Sequence, residues 1–175
     1  LEILRNLTHS GAAGSDPLTG DGAGILIQIP DALYRADVKK RFELPRVGDY
    51  AVAMCFLPRD PALRRAYEAV FESAVVHHEQ RVLGWRDVPI DESALGPVAR
   101  ASMPSFRKLF IGRTCAPELF DATLFLIRKR AGRSIASSEF YVASCSPRTV
   151  TYKGLMLAEQ VGAFFSDLAD PRCVS

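Results

Sequence analysis

At 175 residues, 48% apolar and 24% charged, the chain has the size and composition of one globular domain with its own hydrophobic core. Its 22 basic and 20 acidic residues leave a formal charge of +2, spread along the chain, which argues against nucleic acid or an anionic membrane as partner. Neither a signal segment nor a long apolar span is written in it, so no membrane role is expected.

The chain opens on LEILRNL, a helical pattern without an initiating Met, and is expected to be a piece of a longer polypeptide. Gly11 suits the helix C-cap, and a glycine-rich run then leads into AGILIQI (Ala23 to Ile29). That segment and YAVAMCFL (Tyr50 to Leu57) are nearly continuous apolar runs and are expected to be strands covered on both faces. Asp60-Pro61 starts a helix to His78, with Leu63, Ala66, Tyr67, Val70 and Ala74 inward and Arg64, Arg65, Glu68 and Glu72 toward water. Strands follow at Arg81 to Val88 and Phe106 to Gly112, then a helix from Glu118 to Arg130 with Phe120, Leu124 and Ile127 on one side and a basic end that suits the dipole. Glu139 to Gly154 reads as a hairpin around Ser146-Pro147, and Leu157 to Leu168 as a last helix that stops at Asp170-Pro171. Strands and helices do not alternate strictly, so an α+β layered fold is favoured over a doubly wound sheet.

The glycine-rich run from His9 to Pro30 invites four chemical readings: a phosphate loop, a metal loop, a catalytic site or a plain turn. A phosphate loop needs its glycines after a strand and before a helix, and here they follow a helix and precede a strand. Asp16 and Asp21, with Pro17 between them, lack the alternating ligands and distal Glu of a calcium loop and suit Asx-type turns instead. Cys55, Cys115, Cys145 and Cys173 are isolated, with no C-x-x-C and no His at ligand spacing, so they read as structural thiols and no metal site is expected. His77 and His78 are adjacent and read as solvent-facing.

LRNLTH, TGDGAGILIQIP, LGWRDVP, LGPVAR, EFYVASCSPRTVTYKG and LAEQVGAFFSDLADP occur in that order from Leu4 to Pro171. Together they resemble the class II, N-terminal-nucleophile glutamine amidotransferase domain of glutamate synthase large subunits. The resemblance covers essentially the whole chain. It implies a four-layer αββα sandwich, present here in part, and a domain over 1–175 that is incomplete at both ends. It also implies hydrolysis of glutamine to glutamate and ammonia, the ammonia then passing to 2-oxoglutarate at a second site.

In such domains an N-terminal cysteine attacks, its own α-amino group serves as base, an Asn-Gly pair stabilises the oxyanion, and an Arg and an Asp hold the substrate. The resemblance places none of these within the 175 residues, so no catalytic residue is assigned and the isolated chain is expected to be inactive. His9, Gly11, Asp16, Gly20, Asp21, Gly22 and Gly24 become structural candidates for one wall of the glutamine pocket. Ser10 stands where the family usually carries Arg. That departure keeps a second reading open, a non-catalytic scaffold or binding module derived from the domain. The implied FMN and iron–sulfur cluster belong to other domains of the parent, as does the choice of NADPH, NADH or ferredoxin as electron donor. The expected partners are glutamine and the rest of the same polypeptide, in the cytoplasm, or a plastid for a plant or algal parent.

Overall fold

A computed structural model describes Gly20 and residues 22–173, and two antiparallel sheets organise them. In chain order the elements are β1 (Ala23–Gln28), α1 (Asp31–Val38), β2 (Tyr50–Leu57), α2 (Pro61–His77), β3 (Arg81–Asp87), α3 (Pro97–Ser102), β4 (Ser105–Gly112), α4 (Pro117–Ile135), β5 (Tyr141–Ser146), β6 (Thr149–Gly154) and α5 (Gln160–Phe164). The larger sheet has the order β3-β4-β2-β5 and the smaller pairs β1 with β6, Ile25 opposite Tyr152. The α+β class expected from the sequence is the one observed. Helices α1 and α3 are additions that the sequence reading did not contain.

Period-two alternation explains why β2 is apolar throughout. Ala51, Ala53, Cys55 and Leu57 pack against Phe71 and Val75 of α2 and Phe120, Leu124 and Ile127 of α4. Val52 and Met54 point the other way, into a core shared with Val150 and Tyr152 of β6 and with α1. Both faces are therefore buried, as expected of that run. The strand β1 corrects the same expectation. Ile25 and Ile27 face the shared core, but Gly24, Leu26 and Gln28 point outward and Leu26 is 63% exposed.

Helix α2 starts as expected, Asp60 Oδ1 accepting from the Leu63 amide at 2.7 Å. Its buried stripe is Glu68, Phe71, Ala74 and Val75, while Leu63 is exposed, so the inward face differs from the expected one. The reason is two polar partners on the sheet. Arg107 of β4 pairs with Glu68, and the Trp85 indole of β3 donates to Glu72 at 2.7 Å, so these carboxylates are drawn inward. Helix α4 runs past Arg130 to Ile135 and ends where Ala136 turns left-handed at φ 45°, its amide donating to the Gly132 carbonyl. The basic cluster thus lies within the helix and not at its end.

The expected hairpin is also corrected. Strand β5 pairs with β2 and β6 with β1, so the Ser146-Pro147 turn carries the chain from one sheet to the other. Side chains stand in for part of the missing ladder. Ser144 Oγ accepts from the Thr151 amide at 3.0 Å and Ser146 Oγ from the Arg148 amide at 3.1 Å.

The last helix is shorter than expected. After α5 the backbone extends at Phe165, which bridges to Ile90, and short 3₁₀ turns follow at Ser166–Ala169 and Pro171–Cys173. The break is anchored by the Ser166 amide on the Pro89 carbonyl and by the Asp91 amide on that of Phe164. It swings Asp167 into the core.

Glycine at position 24 is a matter of close approach. A Cβ there would lie 2.5 Å from Lys153 Cβ and 2.7 Å from the Tyr152 carbonyl oxygen. This crowding comes from β6; the first helix expected from the sequence lies outside the described residues. Replacing Gly24 by Val should therefore cost about 1–3 kcal/mol in urea or thermal unfolding. Gly132→Ala, on the open face of α4 with nothing within 4 Å of the added methyl, should instead stabilise by about 0.5–1 kcal/mol. Equal effects of the two substitutions would contradict this account.

Candidate functional site

A cleft of about 660 Å3 lies along the outer face of β1 and β6, where Gly22, Gly24 and Leu26 meet Thr151, Lys153 and Leu155, with Phe56 and Tyr141 also lining it. Its polar group of note is Lys153, whose ammonium donates to Tyr141 Oη at 2.8 Å and sits 4.5 Å from the centre of that ring. Gly22, at φ 138°, holds a backbone conformation that L side chains rarely adopt, and its lack of a side chain keeps the cleft mouth open.

Of the wall residues expected from sequence, Gly22 and Gly24 are thus brought together in one cleft. Gly20 is buried instead beside the turn after β6, where a Cβ would approach the Met156 carbonyl oxygen at 2.6 Å. His9, Gly11, Asp16 and Asp21 lie outside the described residues, as does Ser10.

None of the four thiols is set up as a nucleophile. Burial pushes the Cys55 thiol well above its ordinary value, Cys145 up to about 12 and Cys173 up to about 11. Cys115 Sγ has the Thr123 hydroxyl beside it at 3.9 Å, which offers no base. Among the described residues no group of three His, Cys, Asp or Glu side chains could hold a metal ion.

The most strongly perturbed groups lie deep between the sheets. Lys108, on the inward face of β4 between Phe106 and Phe110, is 0% exposed, and its ammonium donates to Asp167 Oδ2 at 2.8 Å, to Tyr34 Oη at 2.7 Å and to Tyr152 Oη. Arg86 of β3 grips the same carboxylate with two hydrogen bonds, at 2.9 and 2.7 Å, and reaches Asp37 with its Nε. Tyr152 donates to Asp167 Oδ2 at 2.7 Å. Burial pulls Lys108 down to about 7 against the opposing charge of Asp167. Burial works to raise Asp167, but the hydrogen bonds from Arg86 and the charge of Lys108 outweigh it and hold the carboxyl at about 2.

Perturbed groups often mark catalytic sites. Here Lys108, Asp167 and Arg86 are buried and each is matched by partners, which suits a structural role. Sequence reasoning passed over it. The available signal was Lys108 inside an otherwise apolar stretch of strand, KLFI, alternating with aromatic residues on one face.

With this geometry in place, the family can be assigned. A family model described as class-II glutamine amidotransferases matches residues 1–175. The chain belongs to the class-II glutamine amidotransferases. It is 42% identical over its full length to the glutamate synthase [NADPH] large chain of Bacillus subtilis (strain 168), of which it covers 12%. It is 33% identical over 98% of its length to the glutamate synthase [NADPH] large chain of Azospirillum brasilense, again 12% of that protein. With the chloroplastic ferredoxin-dependent glutamate synthase 2 of Arabidopsis thaliana the identity is 35% over 96% of the chain and 11% of the relative. The chain thus spans about an eighth of the length of these relatives.

The buried cluster of this amidotransferase chain makes stability depend on pH in a defined direction. Lys108 titrates at about 7 in the folded chain and near 10.5 when unfolded, so between those values the unfolded state binds more protons. Stability therefore rises with pH across that window and its contribution is lost as pH falls through about 7. Asp167, also depressed, contributes stability above 3.8 that is lost as pH falls through about 2. The difference in unfolding free energy between the parent chain and Lys108→Met should grow by up to about 1.4 kcal/mol per pH unit from about pH 7 to about pH 9. Parallel pH profiles would refute the assignment. Asp167→Asn should be worse than Lys108→Met at neutral pH, losing about 3–5 kcal/mol, because Arg86 is left as a buried cation without the Asp167 counter-charge and Lys108 must give up its proton.

Proposed function

We propose that the chain is part of the glutaminase domain of a glutamate synthase and serves the hydrolysis of glutamine to glutamate and ammonia for transfer to 2-oxoglutarate. Relatedness to glutamate synthase large chains along the entire chain carries this reading and favours it over a scaffold derived from the domain. The two-sheet architecture with helices α2 and α4 on one face agrees with it.

In this reading the described residues are the frame of the active site. The cleft beside Gly22 and Gly24 forms one wall, next to the strand that carries the nucleophile. The nucleophile is none of Cys55, Cys115, Cys145 and Cys173. Attack on an amide needs a thiolate and a base beside it, and losing even one oxyanion donor costs about 10²–10³-fold. The described cysteines do not converge into a metal-holding group, so an iron–sulfur cluster does not fit them and no step passes through one. Cluster and flavin are assigned to other parts of the synthase. No helix among the described residues is long and apolar enough to cross a membrane. In this reading the reaction runs in the cytoplasm, or in a plastid if the parent is a plant or algal enzyme, as the chloroplastic relative supports.

Ammonia release from glutamine tests the reading. The 175 residues alone should show none above background, and the same residues within the complete synthase should support turnover with Cys55, Cys115, Cys145 and Cys173 all changed to Ala. Turnover that disappears with one of those four thiols, in a variant that still melts cooperatively, would place the active site elsewhere.

A further inference from the structure

The outward line of α4 matches itself when reversed. Opposite its buried stripe of Phe120, Leu124, Ile127 and Ala131, the helix turns Glu118, Ala122, Phe125, Leu126, Lys129 and Arg133 to solvent, at the three- and four-residue spacing that keeps them on one face. An acid stands at the start of this line and cations at its end, and Phe125 and Leu126 lie midway, 57% and 51% exposed. Glu118 and Arg133 have no ion pair among the described residues, and Lys129 lies only over the Phe125 ring, 5.6 Å from its centre.

The helix dipole favours an acid in the first turn and a cation in the last, so the charges alone name no partner. It does not explain two large apolar side chains held in water between them. Helix α4 packs on the Ala51, Ala53, Cys55 and Leu57 face of β2. Gly20 and Cys173, the first and last described residues, lie across that sheet, one beside Met156 and the other in the core of Val52 and Met54. Two copies of α4 laid antiparallel, with a two-fold axis between Phe125 and Leu126, match every position of the line. Glu118 then faces Arg133 of the second copy, Ala122 takes the Lys129 stem and Phe125 meets Leu126, each contact occurring twice. Parallel pairing would set Glu118 against Glu118 and Arg133 against Arg133, so the charges reject it.

We propose that the outer face of α4 is an interaction surface for a second copy of this chain, paired antiparallel with an apolar centre and ionic ends. The line is about 22 Å long, so the interface is small and of the transient class. It lies across the larger sheet from the β1–β6 cleft, so it stands or falls apart from the glutaminase reading.

Sedimentation and light scattering of the 175-residue chain, from about 1 to about 500 μM, test this against a monomer–dimer equilibrium with an expected Kd of about 10–100 μM. Glu118→Arg and Arg133→Glu should each weaken the dimer about tenfold, because each change turns two attractions into two repulsions. Mixing the two variants should restore association, since the reversed charges then face their opposites. Leu126→Arg should leave only monomer. All three positions are exposed, so each variant should still melt cooperatively. A chain that stays monomeric to about 500 μM would give this face to another part of the polypeptide and overturn the proposal. Association that runs past the dimer, a dimer indifferent to both reversals, or a mixture no tighter than either variant alone would also overturn it.

Discussion

Asp167 is the point on which the interior of this fold turns. Its carboxylate is gripped by Arg86 from β3, by Lys108 from β4 and by Tyr152 from β6, while Tyr34 of α1 closes the ring through Lys108. Both sheets, a helix and the C-terminal turns thus meet at one buried charge. Taking these ions out of water costs several kcal/mol each, so the arrangement holds only if nearly every donor finds an acceptor. The ammonium of Lys108 has three protons and three acceptors, and no side-chain atom of these five residues is left buried without a partner. Such a cluster contributes less to net stability than to uniqueness, because few other packings could satisfy it.

That requirement explains local oddities along the chain. A regular helix through Phe164 and on to Asp170 would carry Asp167 around with the helical period and away from Arg86. The extended Phe165 breaks the period, and its bridge to Ile90 fixes the angle at which the 3₁₀ turn enters the core. The aromatic residues around it, Phe106, Phe164, Phe165 and Tyr152, pack edge to face and keep water from the ions. Desolvation and charge pairing are two sides of one design here: the same rings that lower the Lys108 pKa strengthen its bond to Asp167.

What was legible in the sequence follows from how local each signal is. The Asp60 cap, the β2 strand and the Phe120, Leu124 and Ile127 stripe depend on neighbours a few residues away, and all were readable. Glu68 and Glu72 looked solvent-facing because charge usually is, and only Arg107 and Trp85, far along the chain, reverse that. The β5–β6 turn has the residues of a hairpin turn, yet turn chemistry fixes only where the chain reverses and not which sheet each arm joins. For the β1 run the apolar content was clear, but whether its second face is covered depends on another layer. Of the candidate wall residues, Gly22 and Gly24 line the cleft beside β6, while Lys153 and Tyr141 at the same cleft carried no signal of their own.

The glycine-rich run and the ion cluster are linked through β6. Tyr152 faces inward to Asp167, and its neighbour Lys153 faces outward into the cleft, because successive residues of a strand point to opposite sides. Gly24 lies opposite Lys153 in the ladder and lets β1 approach so closely that a methyl group would collide with the Lys153 Cβ and the Tyr152 carbonyl. The depth of the cleft is therefore set from behind, by the bond that fixes Tyr152, and from the side, by an absent side chain. An amidotransferase pocket built on this wall would be positioned by a core that water does not enter. Disturbing Asp167 should consequently shift the geometry of a surface that none of its own atoms touch.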